Sequence, residues 1–529
     1  MTAAARATGW LAVRQVRRGA VIVTAVCAGM SALVAAQYRS TFSGEMSQGA
    51  VAALAENPAI RVLFGPAVAL DDPGGFTVWR TGTPVMVLAG VWLMLAAIRI
   101  TRGEEDAGRW DLLLAGRARA VDVLVRCAVV ITGTALLISA GIGLAMVAAG
   151  TDVTGAVVYA LGALGVTATF GAMGLLSAQV MPSRSSAVGL GAGVLGAALL
   201  LRMLADGIGA LAFAAWSTPF GLVGRAAPYA QNRPLPLAVL MVFAVVITAT
   251  AVAAARGRDV GGGWVSVRGR RAPRTRLLRS VGSFGVRRAL RPTLGWLAAV
   301  GTYFLIVGAT IASILDFFAQ NPRFGDLAAG AGFSGLDTAA GFAAALFSLL
   351  VIPTGLYAAT RLAALVADER AQRWTTVFAA PVSRPGLLGA EVAVTVAGVL
   401  ALHLAAAVAM WAGALLTGAP LGLSEALAGA LNTAPVAWLA LGAAALAVGW
   451  LHTSVTAVGA LPVVGGFLLT VLTDSIAAPQ WMSELSPFAH VAATPAAPPD
   501  WSAIAVFAVI GGAATLAGVA GYRRRDLAT

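Results

Sequence analysis

Glu105, Arg109 and Trp110 stand at one spacing in the stretch GEEDAGRWDLLLAG, and Glu369, Arg373 and Trp374 stand at the same spacing in ADERAQRWTTVFAA, 264 positions later. On a helix, Glu105 and Arg109 are four apart, as are Glu369 and Arg373, so each pair can meet along one face. Trp110, Leu113 and Leu114 in the first copy, and Trp374, Val377 and Phe378 in the second, fall at i, i+3 and i+4. Such a segment reads as a short amphipathic helix at a membrane surface, apolar side inward and charged side toward solvent. A single copy is as well explained as an interfacial helix that ends a span. Two copies that repeat Glu, Arg and Trp favour a docking element, and a docking element needs a partner. Its residues would be Glu104, Glu105, Arg109 and Trp110 in the first insert and Asp368, Glu369, Arg373 and Trp374 in the second. On this reading the carboxylates are exposed, so Glu105→Arg or Glu369→Arg should disturb a partner surface while the chain still folds.

Other chemistry is sparse. The chain contains no lysine, which excludes the phosphate-binding G-x-x-x-x-G-K-[ST] loop and with it a P-loop ATPase site in this chain. His403, His452 and His490 are isolated from one another, and no nucleophile, base and orienting group recur together. Span centres lack the acidic relay of proton-coupled pumps: Asp206 and Asp316 fall near outside ends, and Glu391 near an inside end. His403 lies in mid-span and reads as a helix-packing hydrogen bonder. Cys27 and Cys127 sit in or beside apolar helix without metal or disulfide spacing. The pair Asp71-Asp72 in a Pro/Gly loop reads as turn chemistry.

The elements that carry the two inserts are membrane helices. Hydrophobic residues make up 59% and charged residues 11% of the chain, and the mean hydropathy is +0.85, against roughly 25% charge in a soluble protein. A bilayer core needs about 20 apolar residues per helical span. Twelve stretches qualify: 19–36, 83–101, 121–149, 154–178, 186–205, 236–255, 294–315, 340–365, 387–416, 425–449, 454–473 and 503–521. They lack the period-two alternation of barrel strands, and their Ala, Gly, Leu and Val content suits close helix packing. The net charge of +13 is not a nucleic-acid face, because the arginines punctuate the spans. Arg14, Arg17 and Arg18 precede the first, Arg102 to Arg126 surround the first insert, and Arg523 to Arg525 close the chain. Arg256 to Arg291 holds eleven arginines against the single acid Asp259. By the positive-inside rule these segments, and hence both termini, are cytoplasmic. Arg17-Arg18 before an apolar run resembles a secretory signal. The corresponding run near 294–315 is internal, however, and symmetry argues that 19–36 is a retained span.

Internal repetition organises the whole chain. Asn57-Pro58 matches Asn321-Pro322, AVG at 187–189 matches AVG at 457–459, Pro219-Phe220 matches Pro487-Phe488, and Arg258-Asp259 matches Arg525-Asp526. Anchors in one order with slowly drifting offsets indicate a duplicated six-span unit. The expected organisation is a first six-span domain at 1–259, a basic cytoplasmic linker and connecting helix at 260–292, and a second six-span domain at 293–529. The fold class is an all-α polytopic membrane protein.

With EEDAGRWDLLLAGRARA and DERAQRWTTVFAAPVSRPGLL, the STPF and LSPF turns, and the closing GRD and RRRDL, the chain resembles ABC-2 type permeases of ABC transporters. The likeness is to the fused form, two tandem six-helix (type V exporter) domains, and to the actinobacterial antibiotic and multidrug exporters, the tetronasin or polyketide group. It extends over essentially the whole chain. The resemblance implies that the insert after span two is the coupling helix for an ATPase. Two copies of a separate ABC ATPase subunit would then bind ATP and Mg, and this chain would need no cofactor or metal of its own. It also implies an amphipathic connecting helix before the first span of each half, at Thr2 to Arg18 and roughly 268–291, and short re-entrant segments near 206–233 and 476–500. The location implied is the bacterial cytoplasmic (inner) membrane. The outside loop 37–82 is longer than the class leads one to expect.

Two other classes stay open on the residues alone. A proton-coupled transporter of the major facilitator type also has six plus six spans and a basic central loop, and GEEDAGR echoes part of its Gly/Asp/Arg loop. Trp110-Asp111 replaces the basic run expected there, and the first outside loops are long. A membrane-embedded lipid or sugar transferase has only Asp71-Asp72 to recommend it. For a permease, Trp92, Phe170, Met173, Tyr303, Phe347 and Tyr357 offer soft or aromatic contact along a path between the halves. The near absence of fixed charge in the inner spans points to bulky, apolar substrates and not to nucleic acid. Each of the six side chains, taken singly, is equally suited to packing against a neighbouring helix or lipid.

Overall fold

The structure, a computed structural model, describes residues 3–41, 58–116, 118–265, 277–320, 335–475 and 479–526. Every regular element among the described residues is helical. Among the described residues, eleven helices are long and apolar enough to cross a membrane, and there is one shorter apolar helix. In chain order these are α1 (Ala3–Thr41), α2 (Pro73–Ile98), α3 (Ala120–Ala148), α4 (Val153–Val180), α5 (Arg184–Gly207), α6 (Pro234–Arg256), α7 (Val281–Gly308), α8 (Ala339–Arg370), α9 (Arg384–Thr417), α10 (Leu423–Trp450), α11 (Val455–Val471) and α12 (Trp501–Arg524). The protein is a polytopic all-α membrane protein. In α11, which contains Pro462, the chain passes through a π-helical turn, Leu461–Gly465, before resuming as α-helix at Gly466. Its hydrogen-bond ladder is thereby interrupted.

Helix starts follow from local chemistry. The Asp72 carboxylate accepts from the amides of Gly74 and Gly75 at 2.7 and 3.0 Å and caps α2, whose first residue is Pro73. Asp152, Ser183, Ser280, Thr338, Ser383 and Asp500 cap α4, α5, α7, α8, α9 and α12 in the same manner, each satisfying amide donors that the first helical turn leaves open. Asp72 is thus a cap. Of the connecting helix expected at Thr2 to Arg18, Thr2 lies outside the described residues, and Ala3 to Arg18 are continuous with the first span in α1. In the other half α7 begins at Val281 inside the expected 268–291, of which 268–276 lie outside the described residues. Asn57, Asn321 and Pro322 of the repeat also lie outside them. Short helices lie in both segments read as re-entrant: Gly209–Ser217 and Pro219–Ala226 in the first, Gln480–Ser483 and Pro487–His490 in the second, where 476–478 are not described.

The chain divides into two compact units, Met1–Arg271 and Ala272–Thr529. Within the first, the most extensive packing is α1 on α3, α2 on α4 and α4 on α6; within the second it is α7 on α9, α8 on α10 and α10 on α12. The same pairing twice is the tertiary form of the sequence repeat. Small residues permit it: a Cβ on Gly308 would lie 2.1 Å from the Met410 carbonyl oxygen, and one on Gly442 2.5 Å from that of Gly511. Lipid supplies little hydrophobic drive between helices, so such backbone approach is what dispersion contacts require.

Candidate functional site

Each insert begins where a long helix fails to continue. After α2 the chain makes a π-helical turn, Arg99–Gly103, then two short helices, Glu104–Asp106 and Arg109–Leu114, separated by Gly108 at φ +70°. After α8 it turns at Gln372, φ +57°, and forms Thr375–Phe378. Gly108 and Gln372 are themselves 264 positions apart. A left-handed residue at the same place breaks the helical register, so the expected i, i+4 pairs do not form. Instead Arg109 donates to Glu104 through both Nε and Nη2 at 2.6 Å, and Arg373 Nη1 reaches Asp368 at 2.7 Å. Both are i, i+5 pairs closed across the turn. The hydrogen bond it donates to Glu104 raises the Arg109 pKa further above its ordinary high value.

Glu105 and Glu369 are buried, contrary to the exposure expected of them; the side chain of each is 2% exposed. The reason is the closing arginine of each half. Arg258, just beyond α6, grips Glu105 with Nη1 at 2.7 Å and Nη2 at 2.6 Å. The Gly261 amide adds a bond at 2.7 Å and Arg102 an ion pair at 3.2 Å. Arg525, just beyond α12, donates to both oxygens of Glu369 at 2.8 and 2.7 Å. Arg102, itself fully buried, donates to the carbonyls of Ala178 and Gly262, and Arg258 Nε to Gln179 Oε1. The end of α2 is therefore tied to the ends of α4 and α6. Bidentate charge-assisted bonds of this kind specify geometry as well as energy.

The tryptophans are anchors. Trp110 is 2% exposed and packs with Ala12, Val16, Ile100, Leu124 and Cys127. Trp374 is buried too: its indole N–H donates to the Leu365 carbonyl at 2.9 Å, and the Arg288 guanidinium lies 4.7 Å over its ring. The exposed side chains include Asp106, Arg109, Asp111 and Leu112 in the first insert, and Arg370, Arg373, Thr375 and Thr376 in the second. Leu112 is 80% exposed, a large apolar side chain at the tip of a charged turn.

The second unit holds residues that sequence reasoning left out of the site. Arg288, on α7, donates to Asp368 at 2.5 Å and to Glu391 on α9, and Glu391 also accepts from Arg361 of α8 at 2.7 Å. Glu391 is thereby a neutralised ionic node. Arg258 and Arg525 carried a signal, since they repeat in step with Glu105 and Glu369; Arg288, Arg361 and Glu391 have no such counterpart and only the fold brings them together.

The side chains considered for a substrate path sit as follows. Phe170 packs against Phe220 with ring centroids 5.4 Å apart, Phe347 stacks on Phe304 at 5.5 Å, and the Tyr357 hydroxyl shares a hydrogen bond with Thr293 at 2.7 Å. All three are buried within their own unit. Trp92 leans on α1 at Gly19, Tyr303 adjoins Phe304, and Met173 is half-buried. His403 is enclosed and its Nδ1 lies 2.9 Å from the Val399 carbonyl, a packing position. No group of three or more His, Cys, Asp or Glu suited to a metal occurs among the described residues.

Two six-helix units, each with an ion-locked insert at the same helix end, make up a multi-pass membrane protein with an internally repeated architecture. Residues 278–523 match the family described as multidrug efflux system permease Rv1217c, C-terminal domain. The chain is 29% identical over 492 residues to the multidrug efflux system permease protein Rv1217c of Mycobacterium tuberculosis (strain ATCC 25618 / H37Rv), a match spanning 90% of this chain and 86% of that protein. The family match falls within the second unit, and these findings are consistent with an ABC-2 type multidrug permease.

Proposed function

We propose that the chain is the membrane-spanning subunit of an ATP-driven exporter that moves hydrophobic antibiotics, drugs or lipid-like compounds outward across the bacterial cytoplasmic membrane. The observation that carries this is the duplicated insert, clamped to its own unit by a buried Glu–Arg pair and presenting only its tip. A clamped tip transmits force, whereas a loose interfacial helix would yield to it. Each tip would seat on one copy of a separate ABC ATPase, with ATP and Mg held there, since a chain without lysine supplies no P-loop. The arginine distribution puts the inserts and both termini on the cytoplasmic side. The similarity to a multidrug efflux permease supports export of drugs, and the apolar class rests on the near absence of fixed charge in the inner spans.

The test is copurification of the full chain from its native membrane, followed by transport in vesicles. An ATPase subunit in twofold ratio and vanadate-sensitive export of hydrophobic dyes are expected. Export by the chain alone that collapses with a protonophore overturns the proposal and selects a proton-coupled facilitator.

A further inference from the structure

The second insert is the tip of a charged chain that runs inward. Its side chains alternate in sign: Arg373, 64% exposed, pairs with Asp368; Asp368 pairs with Arg288; Arg288 pairs with Glu391; and Glu391 pairs with Arg361, 6% exposed. Three helices, α7, α8 and α9, meet in it. The step that joins surface to interior is Arg288, whose guanidinium bridges two carboxylates while lying over Trp374.

At an offset of 264, Asp368, Trp374 and Glu391 correspond to Glu104, Trp110 and Cys127. In the first unit these three line a cavity of about 20 Å³ together with Gln15 and Thr8 of α1. Where the second unit has an arginine between two acids, the first has a void beside a thiol. The mechanical difference follows. Displacing Asp368 pulls on Arg288, and separating Arg288 from Glu391 leaves that buried carboxylate with Arg361 alone, which is costly; the network therefore moves as a body. Displacing Glu104 strains its pair with Arg109 at the tip, but the cavity it lines is only a water-sized space.

We infer that Arg288 is a positioning residue that couples the second insert to α8 and α9, so that the two ATPase docking points are unequal and the second carries the conformational signal into the membrane. This rests on the exporter reading above.

The test uses the full chain assembled with its ATPase, and the compound that the wild-type chain exports best from a panel of hydrophobic dyes and antibiotics. Arg288→Ala is expected to lower substrate-stimulated ATP hydrolysis about tenfold, the size of an ordinary coupling term, with the complex still assembling and basal hydrolysis retained. Arg288→Lys, which keeps the charge but not the two-carboxylate fork, should restore part of it. Glu391→Gln, nearly isosteric, is read alongside in case Arg288→Ala does not assemble, and the same loss is expected. Cys127→Ala in the first unit should leave stimulation unchanged. Wild-type stimulation in Arg288→Ala or Glu391→Gln, or an equal loss in Cys127→Ala, overturns the inference while leaving the exporter reading intact. Absence of a copurifying ATPase, or of any exported compound, overturns both.

Discussion

In the first unit Glu105 is held from several sides, by Arg258, Arg102 and the Gly261 amide, while the neighbouring Glu104–Arg109 pair ends against Trp110 and a small void. In the second unit Glu369 is gripped by Arg525, and it is the neighbouring Asp368 that continues inward through Arg288 to Glu391. Duplication has thus kept two bonds in both copies, the i, i+5 pair across the turn and the clamp between the insert and the residue closing the last helix. It has let the rest diverge, one copy toward a many-sided clamp and the other toward an ionic chain. A clamp kept under such divergence is the part that any insert of this kind needs to hold its tip in place.

Charge reversal at the clamp should have the largest effect. Glu105→Arg sets a third guanidinium against Arg102 and Arg258 in a site with little access to water, and breaking a buried pair costs about 3–5 kcal/mol. Yield of folded chain and thermal unfolding in detergent should both fall sharply, more for Glu105→Arg than for Glu369→Arg, because Arg102 is stranded as well. Folded protein at wild-type yield from either variant would mean that the clamp is not structural, and would restore the exposed docking role expected from spacing.

A smaller effect separates the two turns. Gly108 and Gln372 occupy the same left-handed position, which a residue with a Cβ adopts at a cost of about 1–2 kcal/mol. Gly108→Gln should therefore lower the unfolding free energy by about 1 kcal/mol, whereas Gln372→Gly exchanges relief of strain for added freedom of the unfolded chain and should change it by less. Equal and large losses in both variants would show that the turns differ in more than conformation.

The smallest expected difference concerns pH at the final helix of each unit. Asp500 caps α12, and hydrogen bonds from the Ser502 hydroxyl and the Ala503 and Ser502 amides hold its carboxyl below the usual carboxylate range. A lowered folded-state pKa means that the cap's contribution is present above the ordinary carboxylate value and is lost as pH falls through the folded one. α6 starts after Arg233 with Pro234 and has no side-chain cap, so it should lack this dependence. Hydrogen exchange at the amides of Ser502 and Ala503 should quicken, relative to pH-corrected intrinsic rates, below the ordinary carboxylate range. Unaltered protection there would remove the cap from the account.

Composition, apolar run length and the arginine punctuation determined by themselves that this is a helical membrane protein, because a bilayer leaves a chain few ways to satisfy its backbone. The repeat was equally legible, since side chains that recur in order at a near-constant offset need no structure to be seen. Spacing failed at the inserts for a local reason: the i, i+4 rule presumes an unbroken helix, and Gly108 and Gln372 break it, so Arg109 and Arg373 pair one residue further back. It failed again at Glu105 and Glu369, whose partners Arg258 and Arg525 lie 153 and 156 residues away. Only the folding of α6 and α12 back to the ends of α2 and α8 could turn carboxylates that look exposed on a short helix into buried ones. Arg288, Glu391 and Arg361 lay deeper still, on three helices with no repeat to mark them, and their alternation of charge exists only where the packing of α7, α8 and α9 brings them within reach.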